Sequence, residues 1–237
     1  MVRLPRPFGV QAFGAPAIRP VAGAVLLAAV LLPGAALARP TAVVKEILDG
    51  KEIFIEAKPA SVNQKAQAPE VVSTKASRGT LAFDNGALAW INRNSQFKLQ
   101  ANCFLLTKGQ VLVSGRQNVC TPSVKLSARG TNFVVSVEDD GTTNLSVLEG
   151  SVTVQAHNAE AKTWVDPVQR EAVRISPEGT VVDRRCLVAS DYERYLNGDL
   201  FQGFQQPMPA LSKLASFLQV NVPVPATVLS TLTFGLF

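Results

Sequence analysis

Between Val71 and Val154 the sequence repeats one theme: a short run in which apolar and polar residues alternate, a break rich in glycine or asparagine, and another run. The stretch "SARGTNFVVSVEDDGTTNLSVLEGSVTV" (127–154) shows it best, alternating from Phe133 to Val137 and again from Leu145 to Val154, with Asp139, Asp140 and Gly141 between. A period of two puts alternate side chains on one face of a strand, so this stretch reads as strand, turn, strand. Breaks at Arg78-Gly79, Asp84-Asn85-Gly86, Lys108-Gly109 and Gly115-Arg116 predict further turns. The whole predicts a twisted, mainly all-β body of many short strands and hairpins. A sandwich and a β-helix-like stack both satisfy the pattern, and no strict fixed-period repeat demands a long solenoid.

The flanks differ. "TAVVKEILDGKEIFIEA" (41–57) predicts two strands about an Asp49-Gly50 hairpin turn, and the proline-punctuated stretch 58–70 predicts an exposed loop. "EAVRISPEGTVVD" predicts one last hairpin. Beyond it, Ser190 stands three residues before Glu193 at capping-box spacing, which predicts a short helix. No charged residue occurs from Leu214 to Phe237. Gln219, Asn221, Pro223 and Pro225 break that run, leaving it too short to span a bilayer, so a tail folded onto the β-body is expected, with peripheral membrane contact as the alternative. Thr233 and Gly235 interrupt the alternation that a barrel strand ending at Phe237 would need.

The first 38 residues read as a secretory signal peptide: Arg3, Arg6 and Arg19 precede the apolar run from Val21 to Leu32, and Ala36-Leu37-Ala38 forms a small-residue cleavage box before Arg39. A retained anchor would need roughly 20 apolar residues. The expected organisation is therefore signal peptide (1–38), hairpin and exposed loop (39–69), main β domain (70–156), terminal hairpin region (157–185) and a helical appendage with an uncharged tail (186–237). Of 23 Lys and Arg, 20 follow Ala38 against 18 acids, so the mature chain carries only 20 − 18 = +2 and lacks the basic footprint of a nucleic-acid binder. Export places Cys103, Cys120 and Cys186 in an oxidising compartment. Cys103 and Cys120 flank one apolar strand pair and are the expected disulfide, a loop whose closure stabilises by roughly 3 kcal/mol; Cys186 is left over.

Patterns for catalysis are weak. His157, the one histidine, lies in "AHNAEA" with no nucleophile signature beside it, and no two of the cysteines and His157 stand at zinc-ligand spacing. Ser95-Gln96-Phe97-Lys98 has the Ser-x-x-Lys form, but on a strand residues three apart face opposite ways. Glu138, Asp139, Asp140 and Glu149 fall at a hairpin turn and a strand end, without the spaced oxygens of a calcium loop. Asn144-Leu145-Ser146 is a formal glycosylation sequon. The expectation is a non-enzyme with no catalytic residue, cofactor or metal.

One series of motifs resembles a known family. "VVSTKASRGTLAFDNGALAWINRNSQFKL", "FLLTKGQVLVSG" and the 127–154 stretch carry, in order, an FDNG turn, a serine after an apolar strand, an L-x-x-G-x-V-x-V hairpin, RGT-x-F-x-V and VLEGSV-x-V. Over roughly residues 70 to 156 this resembles the FecR domain, the periplasmic half of a bacterial iron-dicitrate signalling regulator. The resemblance implies a twisted all-β fold that presents surfaces for protein or ligand contact, with no catalytic centre. Its motif residues here are Asp84, Gly86, Ser95, Gly109, Arg129, Gly130, Thr131, Glu149 and Gly150, read as fold-specifying: Gly109 and Gly150 for tight turns, Arg129 to satisfy several acceptors with its forked donors, and Thr131 to begin a strand. The alternative for Arg129 is binding an anionic ligand or partner loop. Family regulators also carry a cytoplasmic sigma-factor-holding segment, a spanning helix and a receptor-contacting C-terminal module. This sequence instead opens on a short signal peptide and closes on a helical, proline-rich region, which argues against direct sigma-factor control. The expected function is a periplasmic or envelope module that binds an unidentified envelope protein or cell-wall component. The alternatives are a sensor component relaying an envelope or iron signal to a membrane partner and, less favoured, an enzyme acting on envelope polymers.

Overall fold

The computed structural model describes residues 39–157 and 164–221, so the expected signal peptide and the tail beyond residue 221 lie outside the described residues. Its strands are β1 (Thr41–Leu48), β2 (Ile53–Ile55), β3 (Lys58–Pro59), β4 (Lys65–Gln67), β5 (Val71–Thr74), β6 (Arg78–Phe83), β7 (Leu88–Ile91), β8 (Gln96–Leu99) and β9 (Phe104–Gly115). There follow β10 (Val119–Cys120), β11 (Val124–Ala128), β12 (Thr131–Val137), β13 (Thr143–Glu149), β14 (Val152–Ala156), β15 (Trp164–Val168), β16 (Glu171–Ile175) and β17 (Val181–Cys186). Two helices, α1 (Ala189–Leu196) and α2 (Leu211–Asn221), complete the described elements.

The strands pair in two linear series that share β9. One runs β4-β1-β6-β7-β9-β12-β13-β16-β17. The other runs β3-β2-β5-β8-β9-β10-β11-β14-β15. Every pairing is antiparallel except β9 with β10. One core lies between the layers, with Val44, Ile91, Val111, Phe133 and Val147 from the first series and Ile55, Phe97, Phe104, Leu126 and Val154 from the second. Of the two architectures the sequence allows, this is the sandwich, in which each layer buries its alternate residues against the other. The β12–β13 hairpin has the expected form, with Phe133 opposite Val147 and Val135 opposite Leu145.

Several expected turns lie elsewhere. β1 and β2 do not form a hairpin: β1 pairs with β4 and β6, β2 with β3 and β5, and the Asp49-Gly50 segment carries the chain between layers. The stretch 58–70 holds β3 and β4, with Ala60 and Ala66 buried, so it is only partly a loop. Arg78-Gly79 is no turn but the buried start of β6, where a Cβ on Gly79 would stand 2.7 Å from the Glu46 carbonyl oxygen. Lys108-Gly109 lies inside the twelve-residue β9, at the point where that strand leaves one layer and joins the other.

A second cluster covers the outer face of the first series. Trp90, Leu112, Val134 and Leu148 point away from the sandwich core and pack against Tyr192, Leu196, Phe201, Leu214 and Leu218. The charge-free run thus begins by folding onto the β-body, since Leu214, Ala215 and Leu218 of α2 are buried there. Tyr192 fixes the docking by donating to the Leu148 carbonyl at 3.1 Å, and Tyr195 Oη stands 2.7 Å from Ser146 Oγ. Burial of Tyr192 pushes its phenol up to about 12. Helix α1 starts two residues earlier than the Ser190 reading: its N-cap is Val188, and Asp191, not Glu193, closes the turn by accepting the Val188 N–H at 3.0 Å.

Candidate interaction surface

A two-layer sandwich leaves strand edges whose unpaired backbone groups can accept another chain. At one end of the described layers these edges are blunted: β3 is two residues long and carries Lys58 and Pro59, and β4 is three residues with Lys65. At the other end β15 contains Pro167, which cannot donate to a ladder. β17 differs. It is six residues long, pairs with β16 on one side, and has no strand on its other side among the described residues. From Val182 to Cys186 its side chains are all exposed, Val182 at 58% and Cys186 as a free thiol.

Two arginines tie this edge to the body. Arg184 makes a two-pronged pair with Glu171 of β16, at 2.7 and 3.1 Å. Arg185 makes another with Asp191 of α1, at 2.6 and 2.9 Å, and Arg194 adds a third contact at 3.0 Å. The Arg185 guanidinium, with the Val188 N–H and the charge of Arg194, holds the Asp191 carboxyl at about 2 against the opposing effect of its burial. A carboxylate depressed in the folded state contributes stability that is present above its unfolded value, 3.8, and lost as pH falls toward 2. The shift corresponds to about 2 kcal/mol. Asp191→Asn is expected to lower stability by about that much at pH 7 and to flatten the fall between pH 4 and 2 in urea titrations. An unchanged acid slope would mean that these pairs add nothing to the fold.

The residues singled out in the sequence fall into three groups. Ser95 and Gly109 are brought together: Ser95 Oγ accepts the Gln110 N–H at 3.0 Å, while Thr74 Oγ1 accepts the Ser95 N–H at 2.9 Å and donates to the Asn92 carbonyl at 2.7 Å. Asp84 and Gly86 form the turn between β6 and β7, where Asp84 accepts the Thr41 N–H at 3.0 Å. Cys103 and Cys120 are joined in a disulfide, their Cα atoms 5.8 Å apart, so neither is available as a metal ligand. Asn144 of the sequon lies within β13 between two strand neighbours, half-buried, and donates to Glu138 at 3.0 Å. His157 Nε2 lies 3.0 Å from the Thr121 carbonyl, and Lys98 alternates outward from Phe97 as strand geometry requires.

The third group gathers at the corner where the chain crosses between layers three times: from β11 to β12, from β13 to β14 and from β15 to β16. Arg129, Gly130, Glu149 and Gly150 line a groove of about 630 Å³ here, together with Ser151, Gln169, Arg170, Lys213 and Phe217. Thr131 is buried beside it, and a Cβ on Gly150 would stand 2.6 Å from its methyl. Arg129 does not satisfy acceptors as its sequence position predicted; it is exposed, with no hydrogen bond or ion pair to the described residues. Glu149 accepts from Asn132 at 3.1 Å, and burial pushes its carboxyl up. Arg170 and Lys213 carried no sequence signal, because their approach to Arg129 depends on the third crossing and on the docking of α2.

Fold and surface together define an all-β sandwich module with a helical cap and, among the described residues, one longer strand edge that no other strand covers. Within it, residues 70–153 match the family model FecR protein, which assigns the FecR domain to that segment. Two crystal structures of a candidate anti-sigma factor from Parabacteroides distasonis ATCC 8503, at 2.50 and 1.65 Å resolution, are similar at 16% identity with TM-scores of 0.43. They align with 64% and 63% of this chain and 74% and 73% of their own. No curated protein matches.

Proposed function

We propose that this chain is an exported, non-enzymatic binding module of the periplasm or cell envelope that takes a protein partner at the open edge of β17. The observation that carries this reading is the contrast between edges: β3, β4 and β15 are short or carry proline, whereas β17 is six residues long and has a strand on only one side among the described residues. Strand addition draws affinity from main-chain hydrogen bonds and specificity from alternate side chains. Asp183, Arg184 and Arg185 guard the edge with charge, which disfavours indiscriminate pairing and selects a partner strand of complementary pattern. Export rests on the signal-peptide pattern of residues 1–38.

The test is site-specific photocrosslinking in cells, with the crosslinker at Val182 and, as control, at Val62, which is exposed to a similar degree far along the chain. The reading expects one recurrent envelope protein bound through Val182 and not through Val62. Equal products from both positions, or retention on cell-wall material without any protein product, would overturn it. The FecR match at 70–153 favours a second reading, in which the bound partner is a membrane protein and the module relays an envelope or iron signal. Deleting the protein should then alter transcription, which simple binding does not require.

A further inference from the structure

Among the described residues Arg78, Arg93, Lys108, Arg184, Arg185 and Arg194 are ion-paired, and the mature chain is nearly neutral at 20 − 18 = +2. The corner groove gathers cations from outside that set. Three cationic side chains line it, Arg129 from the first crossing, Arg170 from the third and Lys213 from α2, against the single carboxylate of Glu149, so 3 − 1 = +2 is concentrated in one place. Neither Arg129 nor Arg170 is in a salt bridge among the described residues. The Arg170 guanidinium lies over the Phe217 ring at 5.6 Å, a contact that restrains the group without using its N–H donors in an ion pair to the described residues. Glu149 is half-buried and turned to Asn132, which leaves the guanidiniums unneutralised. The groove, at about 630 Å³, has the size of a small-ligand site.

We infer that this groove binds a phosphate group, with Arg129 and Arg170 as forked donors and Lys213 as a point charge. Two guanidiniums and an ammonium offer more donors than one carboxylate can accept, and a multiply charged three-oxygen group matches them better. Soluble molecules and lipid headgroups both carry such a group, and the chemistry of recognition is shared. Ser151, on the middle crossing, supplies a hydroxyl at the same wall. The site is independent of the β17 edge, and purified protein tests it without any partner.

The experiment titrates the purified mature chain with pyrophosphate while following backbone amide resonances, and in parallel measures its retention on vesicles of phosphatidylcholine with and without phosphatidylglycerol. Selective shifts at Gly130, Gly150 and Ser151, weakened at least tenfold in Arg129→Gln, are expected with the soluble probe, the headgroup vesicles, or both. Because Arg129 is exposed and unbonded to the described residues, its substitution should leave the melting temperature unchanged. An Arg170→Asn variant, whose residue tolerates the left-handed backbone at this position (φ 54°), supplies a second check. Binding of pyrophosphate alone assigns a soluble phosphate; retention on phosphatidylglycerol vesicles that is lost in Arg129→Gln assigns a headgroup. No selective shift and no retention, or binding that survives both substitutions, would overturn the proposal.

Discussion

Replacing Gly109 with alanine is expected to destabilise the protein by about 4 kcal/mol, the sum of a strained backbone and an overfilled site. Gly109 sits where β9 passes from one layer to the other, at φ 87°, a conformation that a side chain disfavours. A Cβ there would stand 2.5 Å from the Ser95 Cα and 2.7 Å from the Asn94 carbonyl oxygen, and backbone cannot swing aside as a flexible side chain can. The clash falls on the serine that closes the hydrogen-bond set of Thr74, Asn92 and Gln110. In a domain of this size about 4 kcal/mol lowers the melting temperature by about 12 °C. Gly86→Ala is the control: its φ of 81° is also left-handed, but nothing lies within 4 Å of the added Cβ, so only about 1 kcal/mol is at stake. Thermal melts of the two variants decide the matter. If they agree within about 1 kcal/mol, close packing of the β9 crossing against Ser95 is not what the glycine provides.

The parts legible in the sequence are those in which neighbours in the chain are neighbours in space. The β12–β13 and β16–β17 hairpins and the Cys103–Cys120 bridge are of this kind, each joined within a short stretch. Asp49-Gly50 is ambiguous because a sharp turn looks the same whether the chain returns in its own layer or crosses to the other. Lys108-Gly109 is ambiguous because glycine in a strand can mark a bend as well as an end. The helical cap did leave a trace: "VLV" in β9 and "FVV" in β12 are apolar at both parities, which fits strands covered on both faces, as Leu112 and Val134 are. The groove left none, since its lining is gathered from residue 129 to residue 217 by three layer crossings and a docked helix.

Arg78 is the extreme case of a residue whose role only the tertiary structure reveals. Read as half of a turn, it is a buried arginine with 8% of its side chain exposed. It grips Asp49 at 2.5 and 3.1 Å, and its remaining donors bond the carbonyls of Gln202, at 2.8 Å, and Asp199. The first layer crossing is thereby fastened to the loop after α1, with Arg93 joining Asp49 at 2.7 Å and also meeting Asp199. Beneath the guanidinium lies Phe204, itself stacked on Trp90 at 4.7 Å, so the clamp also holds the apolar cap in place.

Arg78→Ala would strand two carbonyls and unroof Phe204, and is expected to lower stability by about 4 kcal/mol in urea unfolding. Asp49→Asn should cost only about 1 kcal/mol, because Asp49 is partly solvated and Arg78 keeps its carbonyls. Arg78→Lys should resemble alanine more than wild type, since one ammonium cannot serve both the carboxylate and the carbonyls across the gap. The pH dependence follows from the same contacts. Hydrogen bonding from Arg78 depresses the Asp49 carboxyl, so its contribution is present above the ordinary carboxylate range and lost as pH falls through the lowered value. Arg78→Ala should therefore be less sensitive to acid than the parent as well as less stable at neutral pH. Hydrogen exchange locates the loss: amides of α1 and α2 should open before those of β12 and β13 in the variant. If Arg78→Ala proves no more costly than Asp49→Asn, or opens all four elements together, the arginine is one more surface ion pair, and the cap is held by its apolar contacts alone.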